Sequence, residues 1–208
     1  MDTVVFLHGI WMKSIVMQPM AARFRKAGYQ THCFSYPSLQ KTPEQNARLL
    51  RKAVQSLAAN RLHFVAHSLG GIVLMHYFNL FNETHQGRVV MLGSPIKGSN
   101  NAKLINELPV FRWTLGKSGD QGLLGDIPAW KSKRQLGMIA GSKRIGVGNL
   151  LGRSKELNDG AVSVAETRIP ELTDHIVLPV SHSGMLVSAE VTLQTLYFLE
   201  NGCFSLQL

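Results

Sequence analysis

One serine of this sequence lies in a context that could make it a nucleophile. Ser68 falls within the sequence AHSLGG at residues 66–71, after an apolar run that predicts a strand and before an apolar helix. A sharp strand-to-helix turn lifts the serine hydroxyl clear of the sheet and strains the backbone at that residue. The residues two before and two after the serine must then be small, and Ala66 and Gly70 are. The motif therefore predicts that Ser68 is a nucleophile.

A serine hydroxyl is a weak nucleophile unless a histidine takes its proton and a carboxylate orients that histidine. Among the eight histidines, His182 follows the last predicted strand and so lies at the same sheet edge as Ser68. His67 adjoins the serine, but on a sharp turn its side chain points elsewhere. His175 precedes the last predicted strand, at the opposite edge. Four others are expected to be structural: His32, His63, His76 and His85. We therefore predict that His182 is the base.

Three aspartates compete to orient that base. Asp159, in the sequence NDG at residues 158–160, follows the fifth predicted strand through a basic, glycine-rich loop. Asp174 immediately precedes the last predicted strand and so belongs to the other edge. Asp126 fits a turn or a helix start. Asp159 is accordingly the predicted carboxylate.

An acyl-transfer site also needs backbone N–H groups that point at the developing oxyanion. Leu69 supplies one, because it follows the predicted nucleophile at the start of a helix. The loop after the first strand is expected to supply the other, in the sequence HGIW at residues 8–11. Gly9 allows the backbone to turn inward beside the serine, and the Ile10 N–H is the predicted second donor.

The elements that must position these residues alternate between strands and helices. Short apolar runs predict six strands: Thr3–Leu7, Tyr29–Tyr36, Leu62–His67, Arg88–Leu92, Gln135–Ala140 and Ile176–Val180. Helical spacing or helix-start signals predict helices at Ser14–Ala27, from Thr42 onward, at Leu69–Phe81 and at Ser183–Glu200. The last of these is expected to bury one face, formed by Leu186, Ala189, Leu193, Leu196 and Tyr197.

Strands separated mostly by helices pair in parallel through right-handed crossovers, and runs that are apolar on both faces need helices on both sides. The predicted fold is therefore a three-layer α/β/α sandwich with a mostly parallel sheet of about six strands. Residues 1–208 are expected to form one domain, with 95–133 as a small cap or cover segment. In such sheets, sites form beyond the carboxyl ends of the strands.

Composition and charge limit the classes of function. The 208 residues include two cysteines without metal-ligand spacing, and no apolar run reaches the roughly 18 residues of a membrane span. The acidic start lacks the features of a signal peptide, so a cytoplasmic location is expected. Residues 97–155 hold 11 basic and three acidic side chains, a net charge of +8. We expect this segment on the active-site side, where it would favour peripheral contact with an anionic membrane surface. No nucleic-acid motif accompanies the charge.

With these residues placed, the chain resembles the α/β-hydrolase family, and most closely its small bacterial lipases and esterases, including the branch related to GPI-inositol deacylases. The resemblance rests on residues 8–9 (HG), 66–71 (AHSLGG), 93–99 (GSPIKGS), 158–160 (NDG) and His182. The family order of nucleophile, acid and histidine is obeyed. The chain differs in lacking the first two strands of the full eight-stranded sheet and an obvious large lid.

These features predict a serine hydrolase that cleaves carboxylic esters through an acyl-enzyme and uses neither cofactor nor metal. Its substrates should be small-molecule or lipid esters with an apolar acyl part. Trp11, Leu108 and Phe111 are the predicted substrate-binding residues, with Leu104, Trp113 and Leu115 expected nearby. A thioesterase, acyltransferase or amidase would use the same residues, and a non-catalytic binding scaffold would use the same fold.

Overall fold

The structure, a computed structural model, describes residues 1–107, 112–145 and 156–205. Its sheet has the strand order β2-β1-β3-β4-β5-β6, and every neighbouring pair is parallel. The strands are β1 Thr3–Leu7, β2 Gln30–Phe34, β3 Leu62–His67, β4 Val89–Leu92, β5 Leu136–Gly141 and β6 Asp174–Leu178. The α-helices of the described residues are α1 Gln18–Lys26, α2 Pro43–Gln55, α3 Leu69–Leu80, α4 Asn100–Glu107 and α5 Ala189–Asn201. The predicted mostly parallel sheet is confirmed.

Helices cover both faces of this sheet because alternate residues of each strand point to opposite sides. Val5 and Leu7 of β1 join the core beneath α2 and α3, whereas Val4 and Phe6 join the core beneath α1 and α5. The start of α2 has the predicted capping arrangement, in which the Thr42 hydroxyl accepts a hydrogen bond from the Gln45 N–H at 3.2 Å. The three-layer sandwich therefore follows directly from the apolar pattern of the strands.

The last strand begins two residues earlier than predicted. β6 runs over Asp174–Leu178, and Val180 has already left the sheet in a turn, where its N–H donates to the Leu178 carbonyl at 2.8 Å. β6 is an edge strand, so polar residues at its start are accessible to solvent on one side and need little desolvation. The Asp174 carboxylate also accepts a hydrogen bond from the Phe204 N–H at 2.7 Å. An apolar run alone could not reveal this strand start.

The predicted buried face of the closing helix is wrong in part. Leu193 is 50% exposed and Tyr197 is 37% exposed, whereas Val191, Thr195 and Phe198 of α5 are buried. The helix starts only at Ala189, after a short 3₁₀ turn at Gly184–Leu186. The Thr195 hydroxyl donates to the Val191 carbonyl at 2.6 Å. A threonine whose hydroxyl donates a hydrogen bond within the helix can occupy a buried position. The buried face of α5 is therefore not marked by apolar residues alone.

The segment 95–133 combines α4 with a 3₁₀ turn at Arg112–Ser118 and an irregular turn at Gly119–Leu123. Leu115, Leu123 and Trp130 of this segment are buried against the core beneath α2 and α3. None of the helices in the described ranges is long and apolar enough to cross a bilayer.

The basic residues of 97–155 do not all lie where the sequence suggested. Lys131, Lys133 and Arg134 immediately precede β5 and therefore lie at the amino edge of the sheet, beside Arg61 and Arg88. The expectation that the whole segment faces the active-site side is wrong for these three residues. A parallel sheet brings each crossover back to the amino edge before the next strand, so the end of such a segment must lie there.

Candidate active site

Ser68 lies on the sharp turn between β3 and α3. Its backbone has φ 54° and ψ −121°, a region that residues other than glycine rarely adopt. The Ser68 N–H donates to the Leu92 carbonyl of the neighbouring strand β4 at 2.9 Å, which holds the turn against the sheet. Ser68 is buried but lines a cavity at the carboxyl edge of the sheet. The strained turn predicted from the motif is therefore present.

Neighbouring strands leave no room for a side chain at the two glycines that follow Ser68 and Leu69. A Cβ atom at Gly70 would meet the Leu7 Cβ and the His8 carbonyl oxygen, both at 2.9 Å. Gly70 is therefore packed against the end of β1 and the residue that follows it. A Cβ atom at Gly71 would collide with Ser94, which follows β4. Both glycines let the first turn of α3 press against adjacent strands.

The structure brings the predicted base and carboxylate together. The His182 Nδ1–H donates to the Asp159 Oδ2 at 2.7 Å, and the His182 backbone N–H donates to the Asp159 carbonyl at 2.9 Å. Because Nδ1 carries the hydrogen in this pair, Nε2 of the neutral ring is free to accept a proton. His182 lines the same cavity as Ser68.

A tight turn holds the Asp159 carboxylate. Its Oδ1 accepts hydrogen bonds from the Ala161 N–H at 2.9 Å and the Val162 N–H at 2.7 Å, so Oδ2 is left for His182. The carboxylate is buried and cannot exchange these donors for water. Asp174, the competing candidate, starts β6 at the other edge, as predicted, and bonds to the backbone of the C-terminal segment.

Both predicted oxyanion donors adjoin the serine. The Leu69 N–H is one of the first donors of α3, which have no carbonyl within the helix to bind. The Ile10 N–H has no hydrogen-bond acceptor among the described residues. A Cβ atom at Gly9 would lie 3.2 Å from the Ser68 Cβ, so the glycine lets this loop approach the serine closely.

His8, whose role the sequence left open, fixes the orientation of that loop. Its Nε2 accepts from the Tyr36 N–H at 3.3 Å, so its Nδ1–H donates to the Gly9 carbonyl at 2.8 Å. The ring is buried and stacked on Tyr36 at 4.2 Å between ring centres, and burial lowers the pKa of His8. The Gly9 carbonyl and the Ile10 N–H belong to one planar peptide and point in opposite directions. Holding the carbonyl therefore sets the direction of the N–H.

His67 supports the base through its backbone. Its Nε2–H donates to the His182 carbonyl at 3.0 Å, and the two rings lie 4.6 Å apart. Burial, followed by the neighbouring His182, lowers the pKa of His67 to about 3, so its ring is neutral. The ring lies in the wall of the same cavity as Ser68, where its Nε2 is engaged by the His182 carbonyl.

Gly93 is a residue of the site that sequence reasoning missed. It follows β4 with φ 54°, and a Cβ atom there would lie 2.9 Å from the Asp159 Oδ2 and 3.1 Å from the His182 Nδ1. No side chain fits between this backbone and the histidine–aspartate pair. Gly93 was noted only as part of a family motif, because its neighbours are distant in sequence.

Glu166 is a second missed residue. Its buried carboxylate accepts hydrogen bonds from the Ser163 N–H at 2.7 Å and from the Asn100 N–H at 2.6 Å. It thereby ties the segment after Asp159 to the start of α4, where a negative charge is favourable. A lone glutamate in a loop carries no sequence signal for such a contact.

The cavity beside Ser68 has a volume of about 310 Å³ and mainly apolar walls. The predicted substrate-binding residue Trp11 lines it, and its Nε1–H donates to the Thr114 carbonyl at 2.6 Å. Leu108 and Phe111 lie outside the described residues. Of the neighbours expected with them, Leu115 lines the cavity, whereas Trp113 is 78% exposed and is not in its wall. The other apolar wall residues include Ile10, Met12, Pro95, Ala102, Leu123, Ile145 and Val162.

Within the ranges that the structure describes, no three His, Cys, Asp or Glu side chains come close enough to hold a metal ion. The groups that the structure brings together here are Ser68, the hydrogen-bonded pair of His182 and Asp159, and an apolar cavity.

Sequence comparison agrees with this geometry, since a model of the Alpha/beta hydrolase family matches residues 4–150. The chain belongs to the alpha/beta hydrolase family. This confirms the family that the motifs suggested. A search of curated proteins finds no match to this alpha/beta hydrolase.

Solved structures share the fold of this alpha/beta hydrolase. The mature form of lipase BlEst2 from Bacillus licheniformis has a TM-score of 0.73 at 22% identity, covering 96% of this chain and 91% of the lipase. The metagenomic carboxyl esterase MGS0156 has a TM-score of 0.64 at 17% identity, covering 87% of this chain and 64% of the esterase. The esterase EaEST from Exiguobacterium antarcticum has a TM-score of 0.65 at 14% identity, covering 97% of this chain and 92% of the esterase. At these identities the likeness is one of fold.

Proposed function

We propose that this alpha/beta hydrolase cleaves carboxylic esters through an acyl-enzyme, with Ser68 as nucleophile, His182 as base and Asp159 as the carboxylate that orients it. The observation that carries the proposal is the 2.7 Å hydrogen bond from His182 to Asp159, in a cavity that Ser68 also lines from its strained turn. A buried carboxylate, a histidine bound to it and a serine in the same cavity are the groups that acyl transfer of this type uses.

In the first half-reaction, the Ser68 Oγ bonds to the ester carbonyl carbon while its proton passes to the His182 Nε2. The ester C–O bond then breaks, and the alcohol leaves with that proton. In the second half-reaction, water gives a proton to Nε2 while its oxygen bonds to the acyl carbon. The bond from that carbon to the Ser68 Oγ then breaks, the acid leaves, and Oγ takes the proton back from Nε2. Asp159 keeps the ring in the tautomer that this cycle needs and stabilises its protonated form.

The developing oxyanion is stabilised by the N–H groups of Leu69 and Ile10. Removing one such donor typically lowers turnover about 10²- to 10³-fold. The hydrogen bond from His8 to the Gly9 carbonyl supports the second donor, because it sets the orientation of the peptide that carries the Ile10 N–H. The donor is therefore in place before substrate binds.

The substrate's acyl part is proposed to be apolar, because apolar side chains form most of the cavity wall. A cavity of about 310 Å³ lies at the small end of the usual range for ligand sites, roughly 300–1,000 Å³, and fits a short or medium acyl chain. The segment 95–133 contributes Leu115 and Leu123 to this wall and is proposed to act as a cover over the serine.

The entrance of the cavity is proposed to make peripheral contact with an anionic membrane surface. Trp11 and Ile145 line the cavity and are both 57% exposed. Three exposed lysines, Lys103, Lys117 and Lys143, lie within two residues of cavity-lining positions. Apolar side chains flanked by cations are typical of proteins that bind the surface of an anionic bilayer.

Labelling by a fluorophosphonate tests the nucleophile. The wild-type protein should be labelled, and Ser68→Ala should not be, whereas Ser56→Ala, at the exposed end of α2, should be labelled at the wild-type rate. Hydrolysis of p-nitrophenyl esters of increasing acyl length should fall with Ser68→Ala to the residual level, about 10³- to 10⁴-fold over water, that an oxyanion hole alone can leave. Full labelling of a folded Ser68→Ala protein would exclude the assignment, and a preference for thioesters or amides in a substrate panel would change the proposed substrate class.

A further inference from the structure

A second cavity lies away from Ser68 and is larger than the one beside it. It has a volume of about 730 Å³ and lies at the opposite, amino edge of the sheet, between the starts of β3, β4 and β5 and the end of α3. Five cationic side chains line it: Arg61, Arg88, Lys131, Lys133 and Arg134. Glu83 is the one acidic residue among the lining residues. The cavity therefore has a surplus of four positive charges.

Glu83 makes its hydrogen bonds with groups other than the five lining cations. Its buried carboxylate accepts a hydrogen bond from the Tyr77 hydroxyl, one from the His85 Nδ1 at 2.7 Å and one from the Arg51 Nη1 at 3.2 Å. Arg51 does not line the cavity. None of these hydrogen bonds involves a cation of the cavity wall, although the charge of Glu83 still acts on Arg134.

Arg134 is fixed in place without a carboxylate. Its guanidinium donates to the carbonyls of Leu62 and His85 and lies 5.5 and 5.4 Å from the ring centres of Phe64 and Phe78. Burial lowers the pKa of Arg134, and the nearby negative charge of Glu83 opposes this shift only in part. A cation whose hydrogen bonds go only to carbonyls can still gain free energy from an anion.

Gly87 provides the space for this arrangement. Its φ is 145°, and a Cβ atom there would collide with the Leu62 backbone and lie 3.0 Å from the Arg134 Nη1. Arg88, the next residue, also has neutral partners: its Nε donates to the Gln135 side-chain oxygen at 2.6 Å and its Nη1 to the Leu199 carbonyl at 2.7 Å. The guanidinium groups of Arg88 and Arg134 are therefore both oriented by uncharged partners.

Lys131 and Lys133 complete the cavity from the segment before β5. Both are exposed, and neither forms an ion pair with a described residue. Flexible ammonium groups beside fixed guanidinium groups are a common combination at sites that bind phosphate groups. One singly charged ion would leave most of the surplus charge uncompensated, so the ligand that fits best is multivalent.

We propose that this cavity binds a small ligand that carries more than one phosphate charge, at a site separate from the catalytic serine. The cations line a concave cavity and two of them are fixed by neighbouring backbone carbonyls, which favours a compact ligand over an extended nucleic acid. The cavity volume lies within the range of small-ligand sites. Phe78 and Phe81 form part of the wall and give the uncharged part of such a ligand an apolar surface.

Isothermal titration calorimetry with inorganic pyrophosphate tests the site, at constant ionic strength set with sodium chloride. One binding site is expected. The double variant Lys131→Gln/Lys133→Gln should weaken binding about tenfold or more, because each lost charge-assisted hydrogen bond contributes enough free energy for such a change. The matched control Lys26→Gln/Lys52→Gln removes two exposed lysines from α1 and α2 and should change the dissociation constant less than about twofold.

The readout does not depend on catalysis, so it stays valid whether or not the protein hydrolyses esters. Circular dichroism melting checks that both variants are folded, which is expected because all four lysines are exposed. Absence of pyrophosphate binding, or equal weakening by the two double variants, would overturn the proposal. Binding of an RNA oligonucleotide that pyrophosphate does not displace would overturn it in favour of a nucleic-acid surface.

Discussion

Replacing Gly93 by alanine should disable the site while leaving the protein folded. The added Cβ atom would lie 2.9 Å from the Asp159 Oδ2 and 3.1 Å from the His182 Nδ1, whereas ordinary contacts of a Cβ atom begin at 3.4 Å. The carboxylate must therefore move by about 0.5 Å and the imidazole by about 0.3 Å, or the backbone must move away. Asp159 cannot move freely, because two backbone N–H groups hold its other oxygen.

The expected loss follows from this displacement. A misplacement of about 1 Å at a reacting group can lower the rate about 10²-fold, and loss of the orienting carboxylate in a triad lowers it about 10⁴-fold. Gly93→Ala should therefore reduce kcat about 10²-fold, with about 10⁴-fold as the upper limit. Alanine at a positive φ should also cost about 1–2 kcal/mol of folding free energy.

Gly28→Ala provides the matched control. Gly28 has φ 91°, so alanine there meets a similar backbone strain, but no heavy atom lies within 4 Å of the added Cβ. Both variants should lose similar stability in urea denaturation, and only Gly93→Ala should lose p-nitrophenyl ester hydrolysis and fluorophosphonate labelling. If Gly93→Ala kept activity within about threefold of Gly28→Ala, the tight packing of the histidine–aspartate pair against this glycine would not matter for catalysis.

Asp159→Asn should lower kcat about 10⁴-fold, whereas Asp174→Asn should leave it nearly unchanged, because only Asp159 lies beside the base. Steady-state kinetics on one ester test this, and a large loss of kcat in Asp174→Asn would contradict it. Stability should fall as the pH is lowered, because burial lowers the pKa of His67 to about 3 and that of His63 to about 4. Between about pH 6.5 and 4, both histidines bind a proton in the unfolded chain and stay neutral in the folded protein. Over this range each should therefore lower the free energy of unfolding by about 1.4 kcal/mol per pH unit. Equal urea midpoints at pH 7 and pH 5 would refute this. Co-sedimentation with anionic vesicles should exceed that with neutral vesicles and should decrease as the salt concentration rises. Hydrolysis of a soluble short ester should not depend on salt. Equal binding to both vesicle types would refute the proposed contact with a membrane surface.

The parallel sheet and the chemistry-bearing loops could be predicted because they depend on local patterns. An apolar run such as Leu62–His67 is buried on both faces, and this requires a covered parallel sheet. The carboxyl-edge rule then selected Ser68, Asp159 and His182, since each follows a strand directly or through one loop. The distance between His182 and Asp159 could not be predicted, because it depends on a turn whose backbone N–H groups hold the carboxylate.

Element ends were less predictable where the environment is only partly buried. β6 begins at Asp174, because an edge strand tolerates polar residues, and α5 buries threonines in place of Leu193 and Tyr197. In both cases hydrogen bonds to nearby backbone groups satisfy the polar side chains. Hydrophobic periodicity does not detect polar groups that are satisfied in this way.

By itself, the sequence determined the layers of the sheet and the identity of the residues that follow its strands, because apolar periodicity and turn chemistry act over a few neighbouring positions. Only the tertiary structure decided which glycines must lack a side chain. Gly70 meets the end of β1, and Gly93 meets the histidine–aspartate pair, across 60 or more residues of sequence. It also decided that Lys131 and Lys133 face away from the catalytic edge, since their position depends on how the chain returns to begin β5. These are contacts between elements distant in the chain, and their geometry is set by packing that no local pattern encodes.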